Sequence, residues 1–269
     1  MEKMTKMEEL FRGSPEEQDR IGRHVGNFSV ALFGVSGSPE LRNVRLVGSG
    51  TLVSLGNARY VLTAAHVWYN GLTKYESTGL TLREGVDHCF PILNSAIEAH
   101  SLANTKCDEW GPDIVLLRVP DVMVGTIERY RVFYRLNKEP RKIAKGFLGA
   151  RILNGTPGVL AKGVGNVQEV EINAMYVDVD AQFYDHDEFD LVEFAMDTTL
   201  PQVIKDFRGV SGGGVWDVQI FPTGEANKFD STETLVGVAF YQLGLKGNIQ
   251  TVRCHGPKTI RALIQSIEA

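Results

Sequence analysis

Thr63-Ala64-Ala65-His66, with Val61-Leu62 directly before it and Gly50-Thr51-Leu52-Val53 upstream, is the stretch on which the reading of this 269-residue chain turns. Two further stretches follow in order, Asp113-Ile114-Val115-Leu116-Leu117 and Gly209-Val210-Ser211-Gly212-Gly213. Together they offer a base, a group to orient it, and a hydroxyl nucleophile in a glycine-rich bend. A serine hydroxyl attacks poorly at neutral pH unless something takes its proton. Histidine titrates near neutrality and can accept that proton and return it to a leaving group. A buried aspartate holds the imidazole in one tautomer and stabilises its charged form.

The order His, Asp, Ser matters, because unrelated folds carry the same three groups in different orders. With these flanking residues, the order resembles that of the trypsin/chymotrypsin-like serine proteases. Gly50 to Val53 and Val61-Leu62 look like the strands that lead into that family's histidine. Asp113 opens the mostly apolar run Ile114 to Val119, and Leu235-Val236-Gly237-Val238-Ala239 resembles the strand lining the substrate cleft. Asp113 follows His66 by 47 positions, and Ser211 follows Asp113 by 98. The resemblance covers residues 26 to 257. It implies an all-β fold of two six-stranded antiparallel barrels with the cleft between them. It also implies endopeptidase activity through an acyl-enzyme, with catalytic His66, Asp113 and Ser211, and an oxyanion hole from the Gly209 and Ser211 amides. Protein or peptide substrates, and no cofactor or metal, go with it. A second Gly-Val-Ser-Gly at 34–37 precedes the histidine and closes an apolar run, so Ser36 reads as a turn residue.

The same resemblance places the substrate pocket near Lys205 and Asp206, with Phe240, Tyr241 and Gln242 as walls. Lys205 favours an acidic substrate side chain and Asp206 a basic one, and the register between them stays open. Secreted relatives carry cysteines where this chain has Val67 and Phe207, and zymogen-activated relatives carry an aspartate where it has Val210. Valine cannot form an ion pair with a freed N-terminus. The implied member is therefore cysteine-poor, intracellular and bacterial in type, with activity constitutive or gated by a loop, a regulatory partner or the N-terminal helices. A non-catalytic module of the same fold, binding peptides or acting as a scaffold, is the alternative.

Composition agrees with a soluble globular chain: 43% hydrophobic and 23% charged residues. A net charge of −5 provides no basic field for nucleic acid or acidic lipid. No apolar run reaches the length of a membrane span, and residues 1–12 lack the apolar core of a signal peptide, so a cytoplasmic location is expected. The three cysteines, Cys89, Cys107 and Cys254, form no evident disulfide framework. His88 and His255 neighbour two of them, but sequence neighbours on a strand face opposite ways, which argues against a thiol site. The acidic cluster Asp185-His186-Asp187-Glu188 with Asp190 lacks metal-ligand spacing and reads as a solvated loop.

Residues 1–25 read as a helical segment. Met4, Met7, Leu10 and Phe11 share one face, and Ser14-Pro15-Glu16-Glu17 starts a second helix to about His24. Short β-rich runs follow at 28–35, 44–55, 59–62, 114–119 and 129–136, then at 145–153, 167–179, 191–194, 213–221, 235–243 and 250–254. Residues 26–125 are expected to form the first barrel and 126–257 the second, with 120–144 crossing between them. After Gly256-Pro257, the spacing of Ile260, Leu263, Ile264 and Ile267 predicts a C-terminal helix over 258–269.

Overall fold

The computed structural model describes residues 15–37, 43–82, 89–103, 110–137, 148–160, 162–164, 167–169, 173–176, 181–186, 189–199, 206–223 and 229–268. Met4, Met7, Leu10, Phe11, Cys107 and Lys205 lie outside the described residues. The first described element is helix α1 (Pro15–Gly26), which starts on a proline suited to a first turn. Ile21 and Val25, one turn apart, are 1% and 0% exposed, so α1 buries its apolar stripe in the core.

Strands β1 (Ser29–Ser36), β2 (Asn43–Leu55), β3 (Ala58–Thr63), β4 (Ser77–Thr81), β5 (Cys89–Leu93), β6 (Glu98–Ala103) and β7 (Asp113–Arg118) form one sheet in the order β5-β4-β1-β2-β3-β7-β6. Every neighbour along that path is antiparallel. Helix α2 (Asp121–Glu128) occupies the start of the expected crossing, and of the strand expected over 129–136 the two-residue β8 (Tyr134–Arg135), parallel to β2, forms. Pro120 sets a helix start there, with Asp121 in the first turn. A hairpin of β10 (Lys162–Val164) and β11 (Val167–Glu169) follows β9 (Leu148–Gly155). With β9, strands β12 (Asn173–Tyr176), β13 (Gln182–His186), β14 (Phe189–Asp197), β15 (Gly214–Pro222), β16 (Phe229–Gln242) and β17 (Ile249–His255) form the second sheet, ordered β12-β9-β15-β16-β17-β14-β13. The chain then enters helix α3 (Pro257–Glu268).

The architecture is thus two antiparallel sheets with a few helices, and among the described residues the two paths end on β5 and β6 and on β12 and β13. Among the described residues no pairing closes either sheet into a barrel. Residues 83–88 and 104–109, which adjoin β5 and β6, lie outside the described set. Strands β4, β5, β6 and β13 were not expected; short and polar or half-buried, they carry little period-two signal and owe their form to pairing.

The core explains the continuous apolar runs. Ile114 and Leu116 face a cluster shared with Phe28, Trp216, Val218, Val238, Ile260 and Leu263, which joins both sheets, α1 and α3. Their alternates Val115 and Leu117 face a second cluster, mostly of the first sheet, with Leu32, Leu52 and Val61, which Leu191 and Phe240 of the second sheet also join. A third cluster, including Leu153, Phe194, Val210 and Val252, belongs to the second sheet. Side chains of a strand alternate in direction, so a strand buried on both faces reads as unbroken apolar sequence. Phe28, Tyr134 and Trp216 pack ring on ring at 5.0 to 5.7 Å where the sheets meet. Among the described residues no helix is long and apolar enough to cross a membrane.

Candidate active site

His66 follows β3 directly, after Ala64 and Ala65, both fully buried. Only small residues fit between the strand end and the core, and they bring the imidazole to the sheet edge. There the main-chain N–H of His66 donates to Asp113 Oδ1 at 2.8 Å and ring Nδ1 meets Asp113 Oδ2 at 2.6 Å. Both carboxylate oxygens are therefore spent on one residue. Asp113 is 2% exposed, at the start of β7, whereas the His66 side chain is about one-third exposed. The carboxylate places the ring proton on Nδ1 and leaves Nε2 able to accept one.

A residue outside the expected set supports this pair. His255, at the end of β17, is fully buried, and its Nε2 accepts the Asp113 main-chain N–H at 2.9 Å. Only a neutral imidazole has a lone pair there. Burial pushes the ring's pKa down to about 4, against an opposing pull from Asp113 and Asp190. Phe240 stacks flat on the ring, with centroids 4.0 Å apart. The Cys254-His255 pair had raised only the question of a thiol site, and the structure turns the two apart. Cys254 is a free, buried thiol in the second sheet's cluster, with its pKa raised by desolvation. No local pattern marks His255, because its partner lies 142 positions away.

Ser211 lies in the bend before β15. Gly209 and Gly212 there have φ of +92° and +90°, conformations that side chains disfavour. A Cβ on Gly209 would also lie 2.6 Å from Thr156 O. Most amides of this bend have protein acceptors. Phe207 N donates to Gln242 Oε1, Arg208 N to Asp206 Oδ1, Val210 N to Phe207 O, Gly212 N to Ala239 O and Gly213 N to Val210 O. Among the described residues, the amides of Gly209 and Ser211 alone in 207–213 have no acceptor. Their directions are fixed by the carbonyls across the same peptide planes. Arg208 O accepts from Gly158 N at 2.6 Å, and Val210 O accepts from Gly213 N at 2.7 Å. In a trans peptide the N–H points opposite to the carbonyl, so both amides are turned away from these partners.

His66, Asp113 and Ser211 line one cleft of about 370 Å³, with Asn70, Phe207, Arg208, Val210, Ala239, Phe240, Tyr241, Gln242 and Val252. The expected walls Phe240, Tyr241 and Gln242 are therefore brought to the same place as the expected reactive groups. Ser211 Oγ makes no hydrogen bond to His66 among the described residues. Asp206 does not line the cleft, and its carboxylate accepts a two-pronged contact from the Arg208 guanidinium at 2.8 and 3.0 Å. That guanidinium holds the Asp206 carboxyl below the usual range. Lys205 lies outside the described residues.

The acidic cluster has a different employment, as far as it is described. Asp190 caps α3: its carboxylate accepts Lys258 N at 2.9 Å and Thr259 N at 2.7 Å. His186 stacks on Trp110 at 4.7 Å. Asp187 and Glu188 lie outside the described residues. Among the described residues no group of three His, Cys, Asp or Glu side chains is placed to hold a metal. Compared with known proteins, the chain matches no family model, and no curated protein matches it.

Proposed function

We propose that the protein is a serine endopeptidase with the trypsin-like arrangement of two β-barrels, each sheet described above being one barrel's framework. The observation that carries the reading is the double engagement of Asp113 by His66 in a cleft that Ser211 also lines. In this reading Ser211 Oγ attacks the carbonyl carbon of a peptide substrate while His66 Nε2 takes the hydroxyl proton. The carbonyl oxygen gains negative charge and is met by the undonated Gly209 and Ser211 amides. Each such donor lowers the barrier by roughly 3 kcal/mol in comparable sites. Collapse breaks the C–N bond, and the imidazolium returns its proton to the leaving amine. Water then attacks the ester with the same base, releasing the acid and restoring Ser211. Asp113 keeps the imidazole oriented throughout.

The absence of a Ser211–His66 hydrogen bond among the described residues favours a second reading, a non-catalytic module whose cleft binds peptides. Such bonds are also long in many unliganded hydrolases and tighten only with substrate. A fluorophosphonate separates the two, since it reacts only with an activated serine. The expected result is modification at Ser211 alone, lost in both His66→Ala and Ser211→Ala. Modification at Ser36, or none at all, overturns the endopeptidase reading.

A further inference from the structure

The undonated amides of Gly209 and Ser211 are useful only if the bend that carries them is held still. Two of its carbonyls, Gly209 O and Ser211 O, belong to the same two residues, and both are bound by a single residue of the other sheet. Ser49 of β2 donates its hydroxyl to Gly209 O at 2.7 Å and its main-chain N–H to Ser211 O at 2.8 Å. The same Oγ accepts Thr156 N at 2.7 Å, and Ser49 O accepts the Thr63 hydroxyl at 2.7 Å. Ser49 is 1% exposed, so water cannot substitute for these partners.

A hydroxyl supplies one donor and two acceptor sites, which suits it to stand between an N–H and a carbonyl. Here it links three segments: β2, the turn after β9 at Thr156, and the Ser211 bend. Thr156 and Gly158 in turn crowd Gly209, and Gly158 N holds Arg208 O. Val210, where zymogen-activated relatives of the resembled family place an aspartate, is 1% exposed in an apolar cluster with Leu153, Phe207 and Val215. Its side chain contributes packing but no polar tie. Ser49 provides two polar ties from a different strand, and Thr51 of the same strand adds a longer one, its hydroxyl donating to Gly212 O at 3.3 Å.

We propose that Ser49 is a positioning residue that holds the Gly209 and Ser211 amides in their reactive directions. The site is then ordered by docking of the two sheets and requires no freed N-terminus. The inference rests on Ser211 being the nucleophile. Removing an oxyanion donor costs 10²–10³ in rate in comparable sites, so misaiming both here is expected to cost on the order of 10²-fold.

The test compares full-length wild type with Ser49→Ala, Ser49→Cys and Ser54→Ala. Ser54 supplies the comparison of a buried serine hydroxyl removed away from the site, where it meets a distant carbonyl, Tyr134 O, at 3.4 Å. Fluorophosphonate labelling of Ser211 is expected to slow about 10²-fold in Ser49→Ala and to stay within about threefold in Ser54→Ala. With an ester substrate, kcat is expected to fall in Ser49→Ala while KM holds. Ser49→Cys keeps the volume with a weak donor; it is expected to fold and to slow at least tenfold even where the alanine variant does not fold. Hydrogen exchange at the Thr156 amide reads the tie without any activity: it is expected to speed up in Ser49→Ala and not in Ser54→Ala. Labelling of Ser49→Ala or Ser49→Cys at the wild-type rate, or an unchanged Thr156 amide, overturns the proposal. Absence of labelling in wild type overturns the endopeptidase reading, and the exchange measurement still decides whether Ser49 holds the bend.

Discussion

Acidification is expected to weaken the protein through His255, and the size of the effect follows from its burial. The folded state holds this imidazole neutral, with Nε2 accepting the Asp113 amide and its pKa brought from 6.5 down to about 4. The unfolded chain therefore binds a proton at His255 at higher pH than the folded chain does. Stability from this group is fully present above about pH 6.5, and is lost as pH falls toward 4. The whole difference is worth roughly 3 kcal/mol, of which about 2 kcal/mol disappears between about pH 7 and about pH 5. The ring is fully buried, so solvent screening does not reduce this. Urea unfolding of wild type and His255→Phe at the two pH values isolates the contribution. The variant loses the acceptor for Asp113 N–H and starts less stable at neutral pH by about 1–3 kcal/mol. Its further loss on acidification is expected to be smaller than that of wild type by about 2 kcal/mol. Equal acid slopes in the two proteins would refute the reasoning, because they would mean that His255 is protonated in the folded state or exposed to solvent.

Other expectations follow from the same structure. Asp113→Asn is expected to leave the fold intact and cut turnover by about 10⁴, measured by ester hydrolysis, as imidazole orientation is lost. A chain starting at Gly26 loses the buried Ile21 and Val25, worth about 4 kcal/mol together, and is expected to melt far below the full-length protein or fail to fold. An unchanged melting temperature would contradict the packing of α1. Val210→Asp places a carboxylate in an apolar cluster and is expected to destabilise by about 3–5 kcal/mol in chemical denaturation. Gly209→Val meets Thr156 O and a positive φ together, so labelling at Ser211 is expected to vanish.

Read alone, the chain singled out three candidate residues and the β-rich class. His66, Asp113 and Ser211 each sit in a local pattern that steric and chemical rules make legible: small residues after a strand, an acid opening an apolar run, glycines around a hydroxyl. The strands richest in apolar residues, such as β2, β7, β15 and β16, announced themselves because both of their faces are buried. Helix α2 falls in a stretch that reads only as a crossing between two barrels, and β4 to β6 show little local signal because their pairing, not their composition, makes them strands. What only the tertiary structure decided are the partners that arrive from far along the chain. Ser49 meets Gly209 across 160 positions, His255 meets Asp113 across 142, and Asp190 caps a helix 69 positions away. Asp206 similarly read as a possible recognition charge until Arg208, two residues on, was seen to occupy it. Local sequence encodes which groups a residue can offer. Which of those groups are already spent depends on the approach of another strand, and this is fixed by burial of the core as a whole.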